Sequence, residues 1–138
     1  MSCCSGTPLG PGSVPALHAL YFGASSVSDL NFMIPWWAQQ APQLTAALQF
    51  SIPTVGGFTA TLIRAQLSAA ATNATSFTLF RDGVSTGDTV TIAAAGTSAT
   101  LVLTPNEIFG DTQRMNIRIG VSALQNVFCW VTVLGFRP

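Results

Sequence analysis

The stretch that most constrains this chain is residues 126–136, which read NVFCWVTVLGF. Side chains alternate between the two faces of a strand, so Val127, Cys129, Val131 and Val133 share one side. Phe128, Trp130, Thr132, Leu134 and Phe136 share the other. Nearly everything on both sides is apolar, and the β-branched and aromatic content favours strand over helix. A strand that is apolar on both faces requires cover on both. With no helical pattern elsewhere to supply it, one cover is the second sheet of a sandwich. The other is either the chain's own loops or a second copy of the same protein.

Charge points the same way. Of 138 residues, 49% are hydrophobic and only 7% charged, against about 25% charged in ordinary domains. The cations are Arg64, Arg81, Arg114, Arg118 and Arg137, with no lysine; the acids are Asp29, Asp82, Asp88, Glu107 and Asp111, and the formal net charge is zero. Such a surface does little to keep copies apart, so the expected partner is the protein itself. No basic run is present to meet phosphates, which argues against nucleic acid. No uninterrupted apolar span reaches 18 residues, so no transmembrane helix and no membrane insertion are expected. The N-terminus lacks the basic-then-apolar layout of a secretory signal. With Met1 in place, the expectation is release by lysis or by a route that needs no signal.

The three cysteines, Cys3, Cys4 and Cys129, are an odd set, which suggests bonds between chains or a free thiol. Adjacent cysteines close on each other only in a strained ring, so Cys3 and Cys4 are read as reaching elsewhere. Cys129 is either a further bonding partner or a small buried hydrophobe. Cys3 and Cys4 lie in residues 1–15, MSCCSGTPLGPGSVP, where three prolines and three glycines preclude helix and discourage a central strand. This segment is read as an extended connector arm, able to span roughly 45–50 Å at ~3.3 Å per residue.

Residues 16–138 are read as one domain. Short strands are expected at 16–23, 32–37, 44–52, 58–67, 76–80, 88–93, 98–103, 113–122 and 126–136. Turn signals lie between them: the 55–57 glycine turn, Arg81-Asp82-Gly83, Gly96, Thr104-Pro105-Asn106 and Gly110-Asp111. In 113–122, Met115, Ile117 and Ile119 should face inward and Arg114, Asn116 and Arg118 outward. The adjacent Trp36 and Trp37 must face opposite sides, leaving one exposed unless a partner covers it. Together with Phe128, Trp130 and Phe136 they are the candidate oligomer interface. About eight or nine short antiparallel strands so spaced predict an all-β sandwich or barrel.

No catalytic set is recognisable. His18, the only histidine, sits in an apolar strand. No G-x-S-x-G elbow, phosphate loop or zinc spacing is present. Asp82 and Asp88 flank a hairpin, where aspartate is a turn-former. A non-enzyme without cofactor or metal is expected.

Three segments carry a resemblance: VPALHALYF at 14–22 with the interrupted MIPWW at 33–37, QFSIP at 49–53, and SFTLFRDGV at 76–84. Their layout resembles the C-terminal domain of the collagen-like spore-surface glycoproteins of the BclA type, over roughly residues 14–138. The strand, x-Asp-Gly-Val, strand pattern is also similar to phage fibre and decoration domains. Both groups resemble the C1q/TNF-like jelly roll, which implies a jelly-roll β-sandwich that forms trimers. Paired N-terminal cysteines with a late Cys129 resemble bacterial endospore appendage subunits. That implies a connector bearing Cys3 and Cys4, disulfide-linked to neighbouring jelly rolls, with Cys129 as acceptor; the absence of lysine and the Pro/Gly-rich arm depart from that family. The implied function is a structural subunit of an extracellular fibre or surface appendage on a spore, with an anchoring protein as a further partner. The alternatives are a virion component forming trimers, as head decoration or fibre tip, and a carbohydrate-binding or hydrolytic jelly roll with Trp36 or Trp37 as sugar platform.

Overall fold

Alternating apolar residues, short segments and frequent turn formers leave this chain one economical way to bury its side chains: two sheets face to face. The computed structural model describes residues 16–35 and 51–137. The expected connector arm with Cys3 and Cys4, the Trp36–Trp37 pair and most of the strand expected over 44–52 lie outside the described residues. Among those described there are nine strands and no helix: β1 (Ala16–Ala24), β2 (Ile34–Pro35), β3 (Ile52–Pro53), β4 (Phe58–Leu67), β5 (Thr75–Arg81), β6 (Val84–Ile92), β7 (Ser98–Phe109), β8 (Arg114–Val121) and β9 (Cys129–Arg137).

All pairings are antiparallel. A five-stranded sheet has the order β2-β1-β9-β4-β7, and a four-stranded sheet the order β3-β8-β5-β6. From β6 onward each strand crosses to the opposite sheet, so the sandwich is jelly-roll-like, as expected. Among the described strands, only β1–β2 and β5–β6 pair with the next one in sequence. The β5–β6 hairpin turns at Asp82 and Gly83, whose φ values of 51° and 78° are what a two-residue hairpin loop requires. The segment after β1 runs beside β8: Leu30 N donates to Ile119 O (2.8 Å) and Met33 N to Ile117 O (2.8 Å).

The core fills the space between the sheets. From the five-stranded sheet come Phe22, Phe58, Ile63, Leu103, Phe109, Val131 and Val133; from the other come Phe77, Leu79, Ile92, Met115 and Ile117, all buried. Met115, Ile117 and Ile119 face inward as their alternation predicts, while outward Asn116 is buried as well.

Several boundaries differ from expectation for local reasons. Thr104-Pro105-Asn106 does not end the strand. β7 continues to Phe109 because it is the outermost strand of its sheet, where proline forfeits no ladder bond. The chain instead bulges there: Leu62 pairs with Val102 but Ala60 pairs with Glu107. β4 bulges at the same level against β9, where Ala60 pairs with Gly135 and Leu62 with Leu134. β6 starts directly after the hairpin at Val84, four residues earlier than its alternation suggests, because a further bulge at 86–88 breaks the pattern.

Candidate functional site

Strand register decides which residues of the five-stranded sheet look outward. Phe136 of β9 lies between Leu17 of β1 and Thr59 of β4, and Thr59 is opposite Ile108 of β7. One step along, Leu134 lies between Ala19 and Leu62, and Leu62 is opposite Val102. These two rows contain no charged residue. Leu17, Val102 and Ile108 are 66%, 61% and 68% exposed, well beyond what side chains of their type show in a covered face. At about 4.8 Å between strands and ~6.8 Å between rows, the two rows cover on the order of 250 Å². That is less than the ~800 Å² each partner gives a standard interface, and it suits an interface's apolar centre.

The next two rows change character. Tyr21, Thr132, Arg64 and Thr100 form the third, and Gly23, Trp130, Gln66 and Ser98 the fourth. Tyr21, Gln66, Trp130 and Thr132 border an open groove of about 490 Å³. Phe128, half exposed, stacks on Trp130 with centroids 6.2 Å apart and planes 14° from parallel. Aromatic and arginine side chains beside an apolar centre are the composition of a protein–protein contact.

β9 starts at Cys129, not at residue 126 as expected; it turns Trp130 and Phe136 to one face as their parity requires, and Phe128, just before the strand, joins them by stacking on Trp130. The structure adds Leu17, Tyr21, Leu62, Val102, Leu134 and Ile108, most of which the sequence reading did not single out. A signal for them was present: Leu101-Val102-Leu103 and Ile108-Phe109 are consecutive apolar residues, the same two-sided pattern as residues 126–136.

The third thiol lies elsewhere. Cys129 starts β9 on the inner side, fully buried, with Sγ directed at the carbonyls of Ala24 (3.9 Å) and Ser26 (3.8 Å). Burial pushes this thiol up to about 12, only partly offset by the Ala24 backbone. In the folded chain it packs as a small core hydrophobe.

The acids have structural partners. Asp82 Oδ1 accepts from Arg114 N (2.8 Å), Asp29 Oδ1 from Val121 N (3.0 Å) and Asp111 Oδ1 from Gly56 N (2.5 Å). Glu107 pairs with Arg81 at 2.5 Å. Asp88 is not a turn residue but belongs to β6. His18 lies in β1 opposite Gly135, and among the described residues no cluster of three or more histidine, cysteine or acidic side chains could hold a metal. A scan against protein-family models and a search of curated proteins both found no match for this chain.

Proposed function

We propose that the chain is a non-enzymatic structural subunit that self-assembles through the outer face of its five-stranded sheet, as part of an extracellular fibre or surface appendage. The observation that carries this reading is the uncharged double row of Leu17, Phe136 and Ile108 with Leu134, Leu62 and Val102. An exposed apolar patch across four strands of a charge-poor chain favours burial against a like surface. The test is the molar mass of the full chain by light scattering during dilution under reducing conditions. A mass several times that of one chain, falling on dilution, is expected; a single-chain mass across the micromolar range overturns the reading.

A trimeric virion component is the second reading. It is favoured by the burial of Cys129, which leaves the described sheet face able to associate without any thiol. Electron microscopy of the assembled material separates the two: long fibres support the appendage, and discrete particles of uniform size support the virion component.

A further inference from the structure

Away from the double apolar row, the outer face of the five-stranded sheet changes from aliphatic to aromatic and polar. The groove there, bordered by Tyr21, Gln66, Trp130 and Thr132, has a volume of about 490 Å³, within the roughly 300–1,000 Å³ of small-ligand sites. Strand pairing sets its layout. Tyr21 of β1, Thr132 of β9 and Arg64 of β4 stand side by side in one row, and Trp130 of β9 is beside Gln66 of β4 in the next. At about 4.8 Å between strands, the backbones of Tyr21 and Arg64 are roughly 10 Å apart, with Thr132 between them. Tyr21 is half exposed, and Arg64 and Gln66 are exposed. Aromatic rings thus stand on the β1–β9 side and planar polar groups on β4.

Two features select a ligand. The first is an aromatic ring set among neutral hydrogen-bonding groups. A pyranose has a face of C–H groups, which packs on an aromatic ring, and a rim of hydroxyls, which needs donors and acceptors. Tyr21 supplies the ring. The Gln66 amide and the Thr132 hydroxyl supply the partners, and neither side chain makes a hydrogen bond among the described residues. The second feature is charge. Arg64 is the one charged side chain in the four rows of this face, and among the described residues it has no ion pair. No carboxylate of the face answers it. A guanidinium offers a planar fork of donors that fits a carboxylate through two parallel hydrogen bonds.

We propose that this groove binds an acidic saccharide, one whose sugar ring carries a carboxylate. The ring packs on Tyr21, its hydroxyls bond to Gln66 and Thr132, and its carboxylate pairs with Arg64. None of these four side chains belongs to the double row of Leu17, Phe136, Ile108, Leu134, Leu62 and Val102. Saccharide binding and self-association therefore draw on different groups, and either can fail without the other.

The test is isothermal titration calorimetry of the full chain with trigalacturonate and a hyaluronan tetrasaccharide, and with maltotriose as an uncharged probe. At least one acidic probe should bind saturably, about tenfold or more tighter than maltotriose, with an affinity that falls as salt rises. Arg64→Gln keeps a planar polar side chain and removes the charge. It should weaken binding of the acidic probe about tenfold and leave maltotriose within about twofold. Tyr21→Ala should weaken both kinds of probe. Melting curves check that the variants fold, both side chains being exposed, and light scattering should give Arg64→Gln the molar mass of the parent chain. Absence of saturable binding with both acidic probes, equal affinity for maltotriose, or an Arg64→Gln variant that binds the acidic probe as tightly as the parent overturns the proposal.

Discussion

The two sheets of this sandwich share one core and differ in what they turn outward. The four-stranded sheet shows Ser76, Thr78, Thr89, Thr91 and Arg118 to its outer side. There Thr78 and Thr89 join hydroxyls at 2.9 Å, and the aromatic ring of Phe80 is covered edge-on by Phe32 (5.1 Å) and by Arg118 (4.8 Å). The five-stranded sheet shows Leu17, Phe136, Ile108, Leu134, Leu62 and Val102. One face satisfies itself with hydroxyls and a capped ring, while the other leaves its apolar rows uncovered. Each outer face carries an arginine, Arg118 on the first and Arg64 on the second, so the faces differ in their exposed apolar side chains rather than in charge.

The largest contrast between the sheets is expected at two glycines. A Cβ on Gly135 of β9 would sit 2.1 Å from Thr59 O and 2.8 Å from the Phe58 ring, where β4 bulges against it. Neither the strand carbonyl nor the buried ring can withdraw, so Gly135→Ala should lower stability by about 3 kcal/mol or more. On Gly120 of β8 the nearest atom is the Ser76 hydroxyl at 2.5 Å, which can rotate away. Gly120→Ala should therefore lower stability by about 1 kcal/mol or less. Chemical denaturation of both variants checks the order. Equal losses would mean that the close approach of β4 and β9 is not a special feature of the five-stranded sheet.

Association offers the next contrast. Ile108→Asp places a charge in the apolar double row and should weaken self-association by about 30-fold or more, with monomer stability nearly unchanged because the side chain is exposed. The matched change Thr89→Asp, on the outer side of the other sheet, should leave association within about twofold of the parent chain. Sedimentation velocity over a dilution series reads both. If Thr89→Asp weakens assembly as much as Ile108→Asp, the two faces do not divide the work as their composition suggests.

Much of the fold was legible because alternation survives wherever strands are regular. Met115, Ile117 and Ile119 on β8, and the two sides of residues 129–136, lie as parity dictates. Legibility fails at bulges. Asp88 reads as a hairpin turn-former, and Thr104-Pro105-Asn106 reads as a stop, because each extra residue interrupts the period of two without ending the strand. The candidate face was half legible for a related reason. Phe128, Trp130 and Phe136 stand out in one segment, but Leu17, Leu62, Val102 and Ile108 come from three other strands, and only register across the sheet puts them side by side.

The smallest contrast lies within one strand. β9 turns Cys129 into the core and, one residue later, Trp130 to the outer face. With its thiol raised to about 12, the thiolate fraction of Cys129 at pH 8 is on the order of 10⁻⁴. A water-soluble disulfide reagent should leave it untouched in the folded chain and modify it at once in denaturant. Linkage fixes the pH dependence. Below the unfolded value of about 9.0 the thiol is neutral in both states and the folded state keeps its full stability; as pH rises from there toward about 12 the unfolded chain ionises first, and stability falls. Cys129→Ala should remove that alkaline slope while lowering stability near neutrality by about 1 kcal/mol for the lost sulfur contacts. Reaction of Cys129 at the rate of an exposed thiol, or an alkaline slope unchanged by the substitution, would place the thiol outside the core. It would then favour Cys129 as a partner for bonds between subunits.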